Sequence, residues 1–403
     1  MSSSRPQVLT FNGGSSSIKF ALFDITDALQ RVLHGQIDRI GHAGSQLRFE
    51  HVRDARHGQH PVSASNHREA ALALLDWLAS EEGLGSMDAL DAVGHRVVHG
   101  MARTEPSRVT PELLRELRSI ESCDPDHLPG ELDLIEVLVQ SCPKLPQIVC
   151  FDTAFHRDMP RVATLLPIPR RYQAQGLRRY GFHGLSYAYL MEALQRLAGA
   201  ATARGRVVLA HLGNGASLAA VKDGHSIDTS MGFTPNSGLP MSTRSGDLEP
   251  GLAAFLERDK GMGTDEFNDM VNHASGLLGI SETSSDVRDL LEREQADPRA
   301  AEAIALFCYQ GRKTIGAYAA ALGGLDTLVF SGGIGENAAV IRARMCDGLG
   351  FLGVQIDAAG NAAHADIIST PQSRCTVRVI RTDEEQMIAR SVCRTLDLGP
   401  RSH

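Results

Sequence analysis

Two stretches of the chain repeat one pattern of apolar and polar positions. Val8-Leu9-Thr10-Phe11 is a short β-forming run that stops at Asn12-Gly13-Gly14, and residues 18–23 resume it, which predicts a hairpin with a glycine-rich tip. Further along, Val207-Val208-Leu209-Ala210-His211-Leu212 stops at Gly213-Asn214-Gly215 and resumes over 217–221 before Asp223-Gly224. Two such units imply an internal duplication. Apolar residues at helical spacing predict helices over 68–80 (Ala71, Leu72, Leu75, Leu78), 111–120 and 185–198. An apolar run over 301–322, crossed by Gln310-Gly311-Arg312-Lys313, reads as a core or interface helix. Strands are expected at 92–98, 147–151, 327–330 and 375–380. A last helix is expected over 383–396, with Thr382 as its N-cap and acids in its first turn. Segments 41–64 and 358–373 read as loops. Strands alternating with helices place the chain in the α/β class.

The length, 403 residues, fits two domains. Hydrophobic residues at 42% can bury a sizeable core. Aromatics at 5% with the single tryptophan Trp77, and a net charge of −8, disfavour a nucleic-acid surface. No run of 18 apolar residues occurs, so no membrane span is expected. The seven cysteines are scattered without a Cys-x-x-Cys pair, which argues against zinc and against a disulfide framework. Residues 1–6 carry no apolar signal core, so reduced thiols in a cytoplasmic protein are expected. Glycine is the one excess, at 39 residues against the usual ~7%, and glycine serves where backbone turns sharply or approaches a ligand closely.

Several of these glycines stand beside polar chemistry. Asn12-Gly13-Gly14-Ser15-Ser16-Ser17-Ile18-Lys19 combines backbone N–H groups, hydroxyls and a lysine, a set suited to phosphate, although an ordinary polar turn has the same local pattern. It lacks the P-loop spacing. Ser331-Gly332-Gly333-Ile334-Gly335-Glu336-Asn337 follows a strand and opens a helix-like run, so it can present a helix N-terminus to phosphate. Gly94-His95-Arg96-Val97-Val98-His99-Gly100, Arg178-Arg179-Tyr180-Gly181-Phe182-His183-Gly184 and Thr243-Arg244-Ser245-Gly246-Asp247 are arginine/histidine segments, each by itself equally readable as solvated surface or structural histidine. Phe151-Asp152 places an acid at the end of an apolar strand, where ligand crevices of α/β sheets lie.

Taken in order through nearly the whole chain, these segments resemble the acetate kinases of the sugar-kinase/actin-like ATPase superfamily. The resemblance implies two domains of a duplicated ribonuclease-H-like/actin-like ATPase core with the active site in the cleft between them. The first would run over 1–151 and be completed by a C-terminal helix of about 385–403; the second, over 152–384, would carry most of the nucleotide site. It implies reversible, Mg²⁺-dependent, direct in-line phosphoryl transfer from ATP to acetate, giving acetyl phosphate and ADP, with Mn²⁺ as a plausible substitute. Propionate or another short-chain carboxylate is the alternative acceptor. By the same resemblance Asn12 and Glu384 would hold the metal, with Glu385 beside it. Ser15, Ser17 and Lys19 would belong to the phosphate-facing hairpin, with Lys19 on the nucleotide. Arg96 would bind the acceptor carboxylate, and Val98, Phe182 and Pro235 its acyl tail. Arg244 would bind the transferring phosphoryl group, His183 would stabilise the transition state, and Asp152 would be the catalytic acid. His211, Leu212, Gly213, Asn214 and Gly215 would cradle the nucleotide phosphates. Asp286, Val287 and Arg288, with Gly333, Ile334, Gly335, Glu336 and Asn337, would line the adenosine side. A cytoplasmic homodimer is implied as well. The chain departs from the family pattern at Gly13, Asp126, Leu128, Val287, the helix start Leu185-Ser186-Tyr187 and the loop 236–242, and of these Asp126 and Leu128, which border the expected pocket, bear on acyl-chain preference.

Overall fold

A computed structural model describes residues 6–26 and 28–399. Segment 1–5 of the N-terminus and the last residues of the expected C-terminal helix, 400–403, lie outside the described residues. The chain divides into two compact units: one runs to Ala154 and resumes at Asp383, and the other spans Phe155–Thr382.

The first unit is built on an eight-stranded sheet. Its strands are β1 (Gln7–Gly13), β2 (Ser17–Ile25), β3 (Leu29–Asp38), β4 (Gln46–His51), β5 (Arg56–Pro61), β6 (Ala92–Val97), β7 (Ser107–Arg108) and β8 (Gln147–Phe151), in the order β5-β4-β3-β2-β1-β6-β8-β7. β1 to β5 are antiparallel neighbours, whereas β6 lies parallel to both β1 and β8. The predicted hairpin is the β1–β2 pair, closed where Gly14 N–H donates to Ser17 O at 2.8 Å. Both central strands are buried almost throughout, as strands covered on two faces must be. Leu9, Phe11 and Val93 pack with Leu74, Leu78, Leu134 and Leu138 of the helices His67–Ala79 and Leu128–Ser141. Successive strand residues point to opposite faces, so Gly94 faces away from Val93. There the helix Glu384–Leu396 comes so close that a Cβ on Gly94 would lie 2.5 Å from Ile388 Cγ2.

Three expectations are corrected here. Segment 41–64 is not a loop, because it forms β4 and β5. β5 buries none of its residues and β4 only Leu47 and Phe49, so neither writes an apolar run into the sequence. The last helix is capped by Asp383, whose side chain accepts from Gln386 N–H at 2.9 Å. The Thr382 hydroxyl instead meets Ser186 Oγ at 2.8 Å. Segment 358–373 also holds the short helix Ala358–Ala362 and isolated bridges from Ile367 to Arg378 and Ile356 to Ser369.

The second unit carries a five-stranded sheet: β9 (Val207–Leu212), β10 (Ala216–Lys222), β11 (His225–Thr229), β12 (Thr327–Ser331) and β13 (Thr376–Val379), in the order β11-β10-β9-β12-β13. β9, β10 and β11 are antiparallel, and β9, β12 and β13 run parallel. An antiparallel run of three strands followed by two parallel ones is also the centre of the first sheet, β3-β2-β1-β6-β8. The two glycine hairpins therefore occupy equivalent places in two copies of one topology. The apolar run over 301–322 forms the helix Pro298–Leu322, capped by Asp297 and stopped by Gly323 at φ +72°. It buries Ile304, Phe307 and Ile315, and the helix passes unbroken through the polar residues at 310–313.

Candidate active site

In the first unit the candidate residues gather where β1, β6 and β8 end. Asn12, last but one on β1, is paired in register with Lys19 on β2, so both project to the same face. Its amide nitrogen donates to Glu384 Oε2 at 2.8 Å and to Glu385 Oε1 at 3.2 Å. Burial and the neighbouring Asp152 carboxylate push Glu384 above the ordinary carboxylate range, opposed by Arg96 and Lys19. Asp152 follows β8 directly and its N–H donates to Val97 O at 2.9 Å.

Arg96, next to last on β6, is the centre of this cluster. Its Nη2 donates to Asp152 Oδ2 at 3.0 Å, and its Nη1 to Gly13 O at 3.0 Å and to Glu131 Oε1 at 2.8 Å. The guanidinium is only 12% exposed, and both carboxylates are 1% exposed. Asp152 and Glu131 hold Arg96 well above the usual guanidinium value against the cost of burial, so the cation is permanent. Val98, just beyond β6, is buried, and its N–H donates to Glu131 Oε2 at 2.7 Å.

In the second unit His183 precedes the helix Gly184–Ala198 in the left-handed region, φ +58°. A histidine there carries backbone strain that must be held by its surroundings. Its Nδ1 lies 2.8 Å from Ser217 Oγ on β10, and its ring stacks on His211 with centroids 4.2 Å apart. His211 Nδ1 meets Ser186 Oγ at 2.8 Å. A Cβ on Gly215 would lie 3.2 Å from His183 Nε2 and 3.6 Å from Arg244 Nη1, so this glycine keeps backbone open between the two side chains. Arg244 Nη1 donates to Pro235 O at 3.2 Å, and Ser242 N–H donates to Asn214 O at 3.2 Å. Phe182 and Pro235 are buried.

The β9–β12 pairing sets Ser331 beside His211, bringing the segment 211–215 next to the helix Gly332–Asn337. Gly332, at φ +75°, sits where a Cβ would be 2.7 Å from Leu212 O. Gly333 and Ile334 occupy the first turn of that helix. Glu336 turns inward, its Oε1 accepting from Gly332 N–H at 2.9 Å and Thr382 N–H at 3.1 Å. Asn337 Nδ2 donates back to Gly333 O at 2.9 Å. Asp286, Val287 and Arg288 open a separate helix, Val287–Arg293. Asp286 caps it and pairs with Arg288 at 2.6 Å, while Val287 is buried. In the first hairpin Ser15 is exposed at the tip and Ser17 opens β2.

Sequence reasoning missed Glu131 and Ser217. Glu131 had a signal: it sits with Leu128, Leu132 and Ile135 on the buried stripe of its helix, where an unpaired acid does not belong. Ser217 had none beyond its place after the glycine turn.

The oxygens of Asn12 and Glu384 are hard donors of the kind Mg²⁺ accepts. A divalent cation there would offset the repulsion that raises Glu384. Among the described residues no group of three or more His, Cys, Asp or Glu is placed to hold a metal.

Twin sheets of one topology, with glycine-rich turns and cations at their strand ends, define a phosphotransferase built on the actin-like ATPase fold. The family model described as the acetokinase family matches residues 7–390. The chain is 45% identical to an acetate kinase of Rhodopseudomonas palustris, covering 97% of this chain and 99% of that one. It is 42% identical to a propionate kinase of Citrobacter rodentium, covering 96% of each. The crystal structure of Porphyromonas gingivalis acetate kinase matches it with a TM-score of 0.86 at 35% identity, covering 97% of this chain and 100% of that one. The chain belongs to the acetokinase family.

Proposed function

We propose that this chain transfers the terminal phosphoryl group of ATP to acetate, reversibly, yielding acetyl phosphate and ADP. The observation that carries the reading is Arg96, a buried and permanently charged guanidinium at the end of β6, next to the buried apolar Val98. A cation beside an apolar wall suits a short carboxylate with a methyl tail. An acceptor carboxylate is already ionised at neutral pH and needs no general base. Asp152 therefore serves by orienting Arg96, to which it is bonded, rather than by taking a proton. Arg244 and His183, separated by the bare backbone of Gly215, offer N–H donors to the transferring group and stabilise the charge that develops on it. Lys19, residues 211–215 and the helix Gly332–Asn337 hold the nucleotide phosphates; residues 286–288 and 333–337 border the nucleoside. Asn12 and Glu384 would hold Mg²⁺, which neutralises phosphate charge when bound. Family kinship supports a cytoplasmic homodimer, and free thiols at all seven cysteines agree with a reducing compartment.

Propionate is a second acceptor reading, favoured by the propionate kinases among the relatives at 40–42% identity. A coupled assay for ADP with acetate, propionate, butyrate and glycerol distinguishes them. Turnover is expected with acetate and propionate and none with glycerol. Chelating divalent ions should abolish it, with Mg²⁺ or Mn²⁺ restoring it. Arg96→Ala and Arg244→Ala should each lower kcat/KM by about 10²-fold or more. No ADP with any carboxylate would refute the reading.

A further inference from the structure

We propose that Glu131 is a positioning residue for the acceptor site: one carboxylate ties the Arg96 guanidinium and the Val98 backbone together and so fixes the seat of the substrate carboxylate. The proposal rests on the carboxylate-kinase reading above.

Glu131 reaches the strand end from the helix Leu128–Ser141, accepting from Arg96 Nη1 through Oε1 at 2.8 Å and from Val98 N–H through Oε2 at 2.7 Å. Neutralising Arg96 does not require it, because Asp152 already bonds Nη2. A second buried carboxylate on one guanidinium adds a desolvation penalty that charge pairing alone does not repay. Burial pushes Glu131 up, while Arg96 and the Val98 N–H favour the ionised form that accepts through both oxygens. What the residue adds is geometry. Arg96 leaves β6 one residue before its end and Val98 follows one residue after it, so a two-oxygen acceptor on the facing helix holds both at once. The guanidinium then cannot swing without moving the strand end and the apolar wall beside it. Gly13 fits the same arrangement: its carbonyl shares Arg96 Nη1, and a Cβ there would lie 3.2 Å from Glu131 Cγ, pressing on the glutamate stem.

The test is steady-state kinetics on the full-length enzyme with Glu131→Gln, which keeps the shape but has a single acceptor oxygen. The acetate KM should rise about tenfold or more, while the ATP KM stays within about twofold. A fall in melting temperature with an unchanged acetate KM would show a purely structural residue and overturn the proposal. If Glu131→Gln does not fold, Gly13→Ala is the second probe. Pressing on Glu131, it should raise the acetate KM in the same direction and by less, and an unchanged acetate KM in that folded variant overturns the proposal. A wild-type enzyme that phosphorylates no carboxylate would sink the function reading and this proposal together. An active wild type whose Glu131→Gln variant binds acetate normally sinks only the positioning role.

Discussion

The cost of burying polar side chains shows most clearly next to the acceptor arginine. His95 precedes Arg96 on β6, fully buried, with Nε2 2.8 Å from Gln147 Oε1 and its ring stacked on Phe11. Its Nδ1 is buried and has no hydrogen-bond partner. The imidazole is therefore neutral, carrying its proton on Nε2, and burial pushes its pKa down to about 4. The unfolded chain takes up this proton near pH 6.5, and the folded chain only near 4. Stability from His95 is thus complete above pH 6.5 and lost as pH falls through that window, by about 3 kcal/mol in full. Between pH 7.5 and 5 the wild type should lose about 2 kcal/mol more than His95→Gln in urea unfolding. Equal pH dependence in the two proteins would contradict this. At this scale the sequence singled out candidates that sit in local motifs, such as Arg96, Asp152, His183 and Arg244. It concealed Glu131, because what makes Glu131 matter is a strand end far from it in the chain.

At the scale of elements, periodicity made helices such as His67–Ala79 and Pro298–Leu322 legible, whereas the helix Leu128–Ser141 and β3 went unread although both bury apolar residues. β4 and β5 escaped because their partners are mostly backbone and solvent. The loop carrying Arg244 escaped in another way, since its shape is set by neighbours that periodicity cannot report. Ser275, Leu277 and Leu278 donate their N–H groups to the carbonyls of Thr243, Met241 and Ser242 at 2.8–3.0 Å. Gly276 lies at the junction with φ +60°, where a Cβ would be 2.1 Å from Met241 O and 2.6 Å from Arg244 O. Gly276→Ala combines left-handed strain with a backbone clash, so it should cost about 2 kcal/mol or more. That corresponds to a fall of about 4–8 °C in melting temperature. It should also lower kcat, because the clash displaces the Arg244 loop. Gly316→Ala is the control of opposite sign. It lies inside the helix Pro298–Leu322 with nothing within 4 Å of its Cβ position, so it should stabilise by up to about 1 kcal/mol with activity unchanged. Scanning calorimetry and the ADP assay on both variants check the pair.

At the scale of the whole molecule, the repeated glycine hairpin announced a duplicated core, and the structure carries it through to strand order and direction. What a linear reading handles poorly is a unit whose last element comes from the far end of the chain. The helix Glu384–Leu396 covers the face of the first sheet that Gly94 leaves bare, burying Met387, Ile388, Ala389 and Val392. Each large apolar side chain removed from water contributes about 1.5–3 kcal/mol. The three large ones, Met387, Ile388 and Val392, together approach the whole stability of an ordinary domain, about 5–15 kcal/mol. The first unit therefore depends on residues added after all of the second has been made, whereas the second, from Phe155 to Thr382, is continuous in sequence. A chain ended after residue 382 should fail to form the first unit while leaving the second folded. Limited proteolysis should then degrade the region up to Ala154 and spare a fragment that begins near Phe155. Val392→Asp, which sets a charge against Gly94 without shortening the chain, should give the same fragment more slowly. A truncated chain whose first unit resisted protease as well as the full-length protein would show that β1 and β6 are stable without their covering helix.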